Sequence, residues 1–158
     1  MASFEAAVTL INEQDPSAVF DFLLRPANVL RITSPDMRLS LLDAPEVLEH
    51  GSRVEFQVQA YGQVQRFVHE IIELDRPRLF TEKQVTGPMR NWVHEHLVEV
   101  DQTGGVVVID RIVFEPPGGL LGLMVTERRI LGSLKAGFDH RHRELKKLLG
   151  QESRLEQG

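Results

Sequence analysis

The sequence contains no cysteine among its 158 residues. This absence excludes disulfide bonds, thiolate metal sites and a cysteine nucleophile. No apolar run approaches the roughly 18–20 residues that cross a bilayer, and the opening MASFEAAVTL has no basic segment leading into an apolar one. We therefore expect no membrane span, no secretion leader and a cytoplasmic protein.

An excess of basic residues is also missing. The chain has 18 Lys and Arg against 23 Asp and Glu, a formal net charge of −5, which argues against nucleic acid or an anionic lipid surface as partner. Hydrophobic residues make up 42% and charged residues 26%, close to the averages for soluble globular domains. We predict one domain over residues 1–150 and a polar tail over 151–158.

The first forty residues predict one strand and two short helices. From Phe4 to Leu10, apolar and polar positions alternate with the period of a half-buried strand. Asp15 followed by Pro16 is typical of an N-cap and a first helical turn, and this helix stops before Pro26. Pro26 predicts the start of a second short helix that runs through Ile32.

Repeated short extended segments separated by turn residues follow, as in an antiparallel meander. Val54, Phe56 and Val58 alternate with charged and amide residues, so one face of that strand is expected to be wet. The six predicted strands are Arg38–Leu42, Arg53–Tyr61, Val64–Leu74, Arg78–Gln84, Asn91–Asp101 and Val106–Glu115.

A long amphipathic helix is predicted from Thr126 to Leu149. It is the only long apolar stripe, so it must cover the sheet, and a helix laid across a curved sheet leaves part of the space between them open. Gly132 and Gly137 reduce its bulk, and the preceding PPGGLLG segment offers a flexible apolar flap. We expect an internal cavity there.

Three segments carry a resemblance to a known superfamily. FTEKQVTGPMRNWVHEH at 80–96, DRIVFEPP at 110–117 and FDHRHREL at 138–145 resemble the polyketide cyclase/dehydrase group of the START-like, Bet v 1-like (SRPBCC) superfamily. The resemblance implies an α+β helix-grip fold, in which a seven-stranded curved antiparallel sheet wraps a long C-terminal helix, with two short helices after the first strand. It also implies a cavity for an apolar ligand.

Two histidines in WVHEHLVEV share the inner face of their strand. Trp92, His94 and His96 occupy alternate positions, whereas Glu95 lies on the water side. A His–x–His pair can chelate zinc or iron, but it would have to recruit His69 or a carboxylate, and we expect neither a metal nor a cofactor. The histidines are either core groups paired with backbone or carboxylate, or cavity groups that orient a ligand.

Asp110 is also predicted to face inward, where its carboxylate needs a partner such as His96 or Arg141. An ion pair that fastens the helix to the sheet is favoured over catalysis. His140 and His142 lie roughly 200° apart around the helix, so they cannot form one site. The residues expected to line the ligand site are Phe56, Val58, Phe67, His69, Trp92, His94, His96, Asp110, Ile112, Phe114, Leu134, Phe138 and Arg141.

Binding or transport of a small hydrophobic or aromatic ligand is the leading functional prediction. The alternative is an aromatase/cyclase or dehydratase that uses His94 or His96 with Asp110 as general acid and base. A third hypothesis is an interaction module whose flap closes on the ligand. An exposed apolar patch around Leu120, Leu121 and Leu123 would favour contact with a partner or a homodimer.

Overall fold

The computed structural model describes residues 1–10, 15–60 and 62–150. Tyr61, at the end of a predicted strand, and the predicted polar tail 151–158 lie outside the described residues. The helices and strands are β1 (Ala2–Leu10), α1 (Pro16–Leu23), α2 (Pro26–Ile32), β2 (Ser40–Asp43), β3 (Arg53–Ala60), β4 (Gln63–Asp75), β5 (Leu79–Thr86), β6 (Asn91–Val100), β7 (Val106–Glu115), α3 (Gly119–Met124) and α4 (Glu127–Gly150).

The seven strands form one antiparallel sheet in the order β1-β7-β6-β5-β4-β3-β2. Strands β2 to β6 each pair with the next strand along the chain, and β1 forms the far edge by pairing with β7. Register shifts interrupt the β2–β3 and β4–β5 ladders, and such bulges increase the local twist and bend of a sheet. The predicted seven-stranded curved sheet with a long C-terminal helix and two short helices after β1 is confirmed.

The predicted helix starts agree with the capping chemistry. The Asp15 carboxylate accepts a hydrogen bond from the Ser17 amide at 3.0 Å, with Pro16 in the first turn of α1. Pro26 lies in the first turn of α2, where the N-cap residue Arg25 makes no side-chain capping hydrogen bond. At α4, the Thr126 hydroxyl accepts from the Arg129 amide at 3.3 Å, so Thr126 precedes the helix instead of beginning it.

Two local predictions are wrong. Arg38 does not open a strand: it ends a 3₁₀ turn (Pro35–Met37) in the left-handed conformation, with φ of 47°, and β2 begins two residues later. The PPGGLLG segment is not a loop throughout, because the six-residue helix α3 begins at Gly119. No helix among the described ranges is long and apolar enough to cross a membrane.

The core has two apolar clusters, one near each end of α4. Leu145 packs into the cluster that contains Phe20 and Phe80, whereas Ile130 and Phe138 pack into the cluster that contains Ile112 and Phe114. Buried side chains therefore occupy the space between α4 and the strands next to it. The predicted cavity between the sheet and α4 stays a prediction.

The two glycines of α4 border solvent and the 3₁₀ turn. Gly132 is exposed and has open space beside it. A Cβ at Gly137 would be 3.9 Å from the Met37 sulfur, in the 3₁₀ turn. The absence of a side chain at these positions therefore leaves space toward solvent and toward the 3₁₀ turn, and not toward the centre of the sheet.

Candidate functional site

A belt of polar side chains lies between the two apolar clusters. It is built by alternation, because every second residue of a strand faces the same side of the sheet. The register pairs Glu82 with His94 and His96 with Asp110 on neighbouring strands. We call this belt the polar cluster; its members are Glu82, His94, His96, Asp110 and His142.

Asp110, on β7, is the inner carboxylate of the polar cluster and is 2% exposed. Its Oδ1 atom lies 2.7 Å from His94 Nε2 and 3.3 Å from His96 Nδ1. Its Oδ2 atom lies 2.9 Å from His142 Nε2, on α4. One carboxylate therefore joins β6, β7 and the C-terminal helix, and the predicted fastening of helix to sheet is present with His142 as the helix partner.

Glu82, on β5, is the outer carboxylate, and its side chain is 20% exposed. Its Oε1 atom lies 3.1 Å from His94 Nδ1 and 2.9 Å from His96 Nε2. Its Oε2 atom lies 3.4 Å from His69 Nδ1, which attaches His69 to the edge of the polar cluster. Each of the two β6 histidines therefore lies between two carboxylates.

The pKa values follow from this pairing. Burial alone would raise the pKa of Asp110, but hydrogen bonds from His142, His94 and His96 hold it well below its usual value. Burial likewise would raise the pKa of Glu82, and hydrogen bonds from imidazoles hold it well below the usual value. Burial lowers the pKa of His96, but the two carboxylates outweigh it and raise that pKa. The carboxylates are held as anions, and the protonated form of His96 is favoured.

The helix contributes a different residue from the one predicted. Arg141 does not pair with Asp110; its guanidinium lies 4.7 Å from the centre of the Phe138 ring. His142 takes that place because it lies one helical turn beyond Phe138, on the same face of α4. The Phe138 ring contacts both His94 and His142, at centroid distances of 5.6 and 5.8 Å.

A second group of residues lies beyond Glu82 on the same face of the sheet. Phe56 and Phe67 stack with ring centroids 5.0 Å apart, and the His69 ring meets both edge-on. Trp92 lies 6.5 Å from His69. Phe56, Phe67 and Trp92 are only partly buried although they face inward. We call Phe56, Phe67, His69 and Trp92 the aromatic patch.

Two polar atoms of the aromatic patch are buried without a hydrogen-bond partner among the described residues: His69 Nε2 and Trp92 Nε1. Buried polar groups are normally hydrogen-bonded. The His69 ring contacts the rings of Phe56 and Phe67. The Trp92 ring contacts the buried Phe114 ring, with centroids 5.9 Å apart. The aromatic patch therefore combines partly exposed aromatic rings with two buried nitrogens that lack partners among the described residues.

The other predicted lining residues are core or near-core. Val58, Ile112 and Phe114 are buried, and Leu134 packs at the edge of an apolar cluster. A pocket of about 410 Å³ lies elsewhere, between the start of α2 on one side and β2 with the segment after it on the other, and its lining includes Arg25, Asn28 and Glu46. None of the predicted site residues lines that pocket.

Sequence reasoning missed Glu82 and His142. A signal existed for each: Glu82 alternates with Phe80 and Gln84 in the predicted strand, and His142 follows Phe138 by four positions. Charged residues such as Glu82 usually lie on the solvated face, and His142 was considered only together with His140, which lies roughly 200° away around the helix. Their burial depends on partners from other elements.

Comparison with known proteins agrees with this architecture. The chain is similar to a Chromobacterium violaceum protein at 12% identity, with coverage of 95% of this chain and 99% of that chain and a TM-score of 0.68. A Thermus thermophilus protein gives 13% identity, coverage of 92% and 95%, and a TM-score of 0.66. Ginseng major latex-like protein 151 from Panax ginseng gives 17% identity, coverage of 90% and 96%, and a TM-score of 0.63.

None of the curated proteins matches the chain. A family model described as "Domain of unknown function (DUF8410)" matches residues 25–149. The structural likeness confirms the predicted START-like, Bet v 1-like fold. The chain therefore belongs to the DUF8410 family and has the Bet v 1-like helix-grip fold.

Proposed function

We propose that this protein binds a small hydrophobic ligand with an aromatic ring, and that the ligand lies on the aromatic patch. Small-molecule sites combine a mostly apolar concave lining with a few polar groups that set orientation. The stacked Phe56 and Phe67 rings supply the apolar surface, and Glu82 and the polar cluster lie beside it. The fold belongs to a ligand-binding kind, which supports the same proposal.

The observation that carries this proposal is the pair of buried nitrogens without partners among the described residues. Trp92 Nε1 can only donate a hydrogen bond, and His69 Nε2 can donate or accept according to its tautomer. His69 Nδ1 faces the Glu82 carboxylate, which accepts its hydrogen and leaves Nε2 as an acceptor. A hydroxyl on the ligand can accept from Trp92 Nε1 and donate to His69 Nε2, which removes the cost of leaving them unpaired, about 1–3 kcal/mol each. The proposed ligand class is therefore an aromatic molecule with one hydroxyl-bearing end.

Trp92 makes this proposal directly measurable because it is the only tryptophan in the sequence. We expect 8-anilinonaphthalene-1-sulfonate, which has fused rings and an acceptor group, to quench Trp92 fluorescence with saturation at one dye per chain. Phe67→Ala should weaken this binding about 5- to 30-fold, which corresponds to about 1–2 kcal/mol of lost contact.

Val64→Ala is the matched control. Val64 lies on the same strand, β4, but is 56% exposed and three positions from Phe67, on the opposite face of the pleat. Its binding constant should equal that of the wild type. Equal weakening by both substitutions, or dye binding that stays non-saturable, would place the ligand elsewhere. Circular dichroism of both variants distinguishes lost contact from lost folding.

An acid–base enzyme is the second candidate, because His94, His96 and Asp110 do converge within hydrogen-bond distance. Such a group could remove a proton from a ligand carbon and return one to a departing hydroxyl, as aldol cyclisation with loss of water requires. Incubation with a short poly-β-keto thioester tests this. Loss of 18 Da by mass spectrometry in the wild type, and not in Asp110→Asn, would establish an enzyme.

A further inference from the structure

We propose that Glu82, His94 and His96 form a mononuclear site for a divalent transition-metal ion, with zinc(II) as the reference metal. The proposal goes beyond ligand binding on the aromatic patch and does not depend on it. Each of the three residues offers one ligand atom, and these atoms all lie within 4.8 Å of one another. The donors are Glu82 Oε1, His94 Nδ1 and His96 Nε2.

The spacing of the donors is that of a shared metal. Zinc binds imidazole nitrogen and carboxylate oxygen at about 2.0–2.2 Å, so neighbouring donors around one ion lie roughly 3.0–3.5 Å apart. Glu82 Oε1 lies 3.1 Å from His94 Nδ1 and 2.9 Å from His96 Nε2. One ion between these atoms would therefore contact all three, because they all lie within 4.8 Å of one another.

The opposite nitrogen of each histidine already has the partner that a metal ligand needs. His94 Nε2 and His96 Nδ1 both face Asp110 Oδ1, at 2.7 and 3.3 Å. A carboxylate behind a ligating histidine accepts its second N–H and aims its free lone pair at the metal. His142 completes this arrangement by contacting Asp110 Oδ2 at 2.9 Å, so Asp110 is itself held in place.

The donor set also selects the metal class. Two imidazoles and one carboxylate, without thiolate, suit zinc(II), iron(II) and cobalt(II) and leave a position for water or a ligand group. Glu82 is the most exposed of the three, and its second oxygen is held by His69, a member of the aromatic patch. The sequence predicted no metal because it did not identify the third donor, Glu82, which comes from a separate strand, β5.

The test uses the full-length chain after dialysis against a chelator. We expect cobalt(II) to bind at one ion per chain with the intense visible absorption of a four- or five-coordinate site, and zinc(II) to abolish that absorption by competition. Glu82→Gln and His96→Gln should each weaken zinc binding, measured by calorimetry, at least about 100-fold. Asp110→Asn, which alters only the positioning carboxylate, should weaken it about 10- to 100-fold.

His50→Gln is the matched control, because His50 is exposed and far along the chain from the three ligands; its zinc affinity should equal that of the wild type. The weak absorption of a six-coordinate surface ion, unchanged affinity in Glu82→Gln, or absence of binding to the wild type at millimolar metal would each overturn the proposal. The wild-type cobalt spectrum decides the matter even where a variant fails to fold.

Discussion

Replacing Asp110 with alanine tests whether the polar cluster holds the helix to the sheet. The carboxylate is 2% exposed and accepts hydrogen bonds from three imidazoles on two other elements. Asp110→Ala removes all three contacts; it leaves His142 without its carboxylate partner and His94 and His96 with Glu82 alone. Because the site lies between the two apolar clusters, water that took over the hydrogen bonds of the carboxylate would enter at a cost in free energy.

The expected loss is about 4 kcal/mol. Removing one partner from a buried ion pair costs about 3–5 kcal/mol, because the charge left behind is unpaired. Three hydrogen bonds to a charged group, at about 1.5–3 kcal/mol each, would give a larger sum, but bonds within one network are not additive. Asp110→Asn keeps the volume and one acceptor, so we expect about half of that loss.

Urea denaturation followed by circular dichroism measures the free energy of unfolding directly. The matched control is Asp139→Ala, which removes an exposed helix carboxylate paired with Lys135 at 3.2 Å and should cost less than about 0.5 kcal/mol. A loss below about 1 kcal/mol for Asp110→Ala would refute the reasoning.

A double-mutant cycle isolates the contact between α4 and β7. His142→Ala removes only the helix partner of Asp110, at 2.9 Å, and leaves the strand histidines in place. We expect a coupling energy of about 1–3 kcal/mol between the two positions. Additive effects would mean that the helix is held by its apolar stripe alone.

Three further predictions concern the pH dependence of stability, the N-cap of α1 and an exposed apolar pair. The raised pKa of His96 adds stability that is complete below about pH 6.5 and lost as pH rises through the folded value; the lowered carboxylate pKa values add stability that is lost below about pH 4. Urea titrations of metal-free protein should therefore show greatest stability between these limits, and a monotonic profile would contradict this. Asp15→Ala removes the N-cap of α1 and should cost about 0.5–2 kcal/mol in the same assay; no change would mean that the cap is dispensable. Leu120 and Leu123 are 84% and 76% exposed, so if the predicted homodimer forms there, Leu120→Glu should halve the mass measured by light scattering, and a monomeric wild type would exclude it.

Much of the fold could be predicted because local patterns carry it. Alternation defined β1 and β3 to within a residue or two, and Asp15 with Pro16 marked the start of α1. Arg38 was placed wrongly because the left-handed conformation of an arginine depends on the 3₁₀ turn before it. The helix α3 is only six residues long, too short for periodicity to show.

The candidate site was predicted in part. His94, His96 and Asp110 were expected to face inward and do, because alternation along one strand decides the face. Glu82 and His142 were not expected there. A glutamate in a strand and a histidine in a basic helix segment belong by composition to the solvated side, and only partners from elsewhere reverse that assignment.

The amino-acid order by itself determined which stretches become strands and helices and which side of each is apolar, since those properties depend on neighbours within a few positions. Only the tertiary structure decided that three imidazoles and two carboxylates meet between the apolar clusters, with the His69 imidazole at their edge. That meeting requires strand register and helix placement to bring together groups up to 73 positions apart, from His69 to His142, and no local pattern encodes such distances.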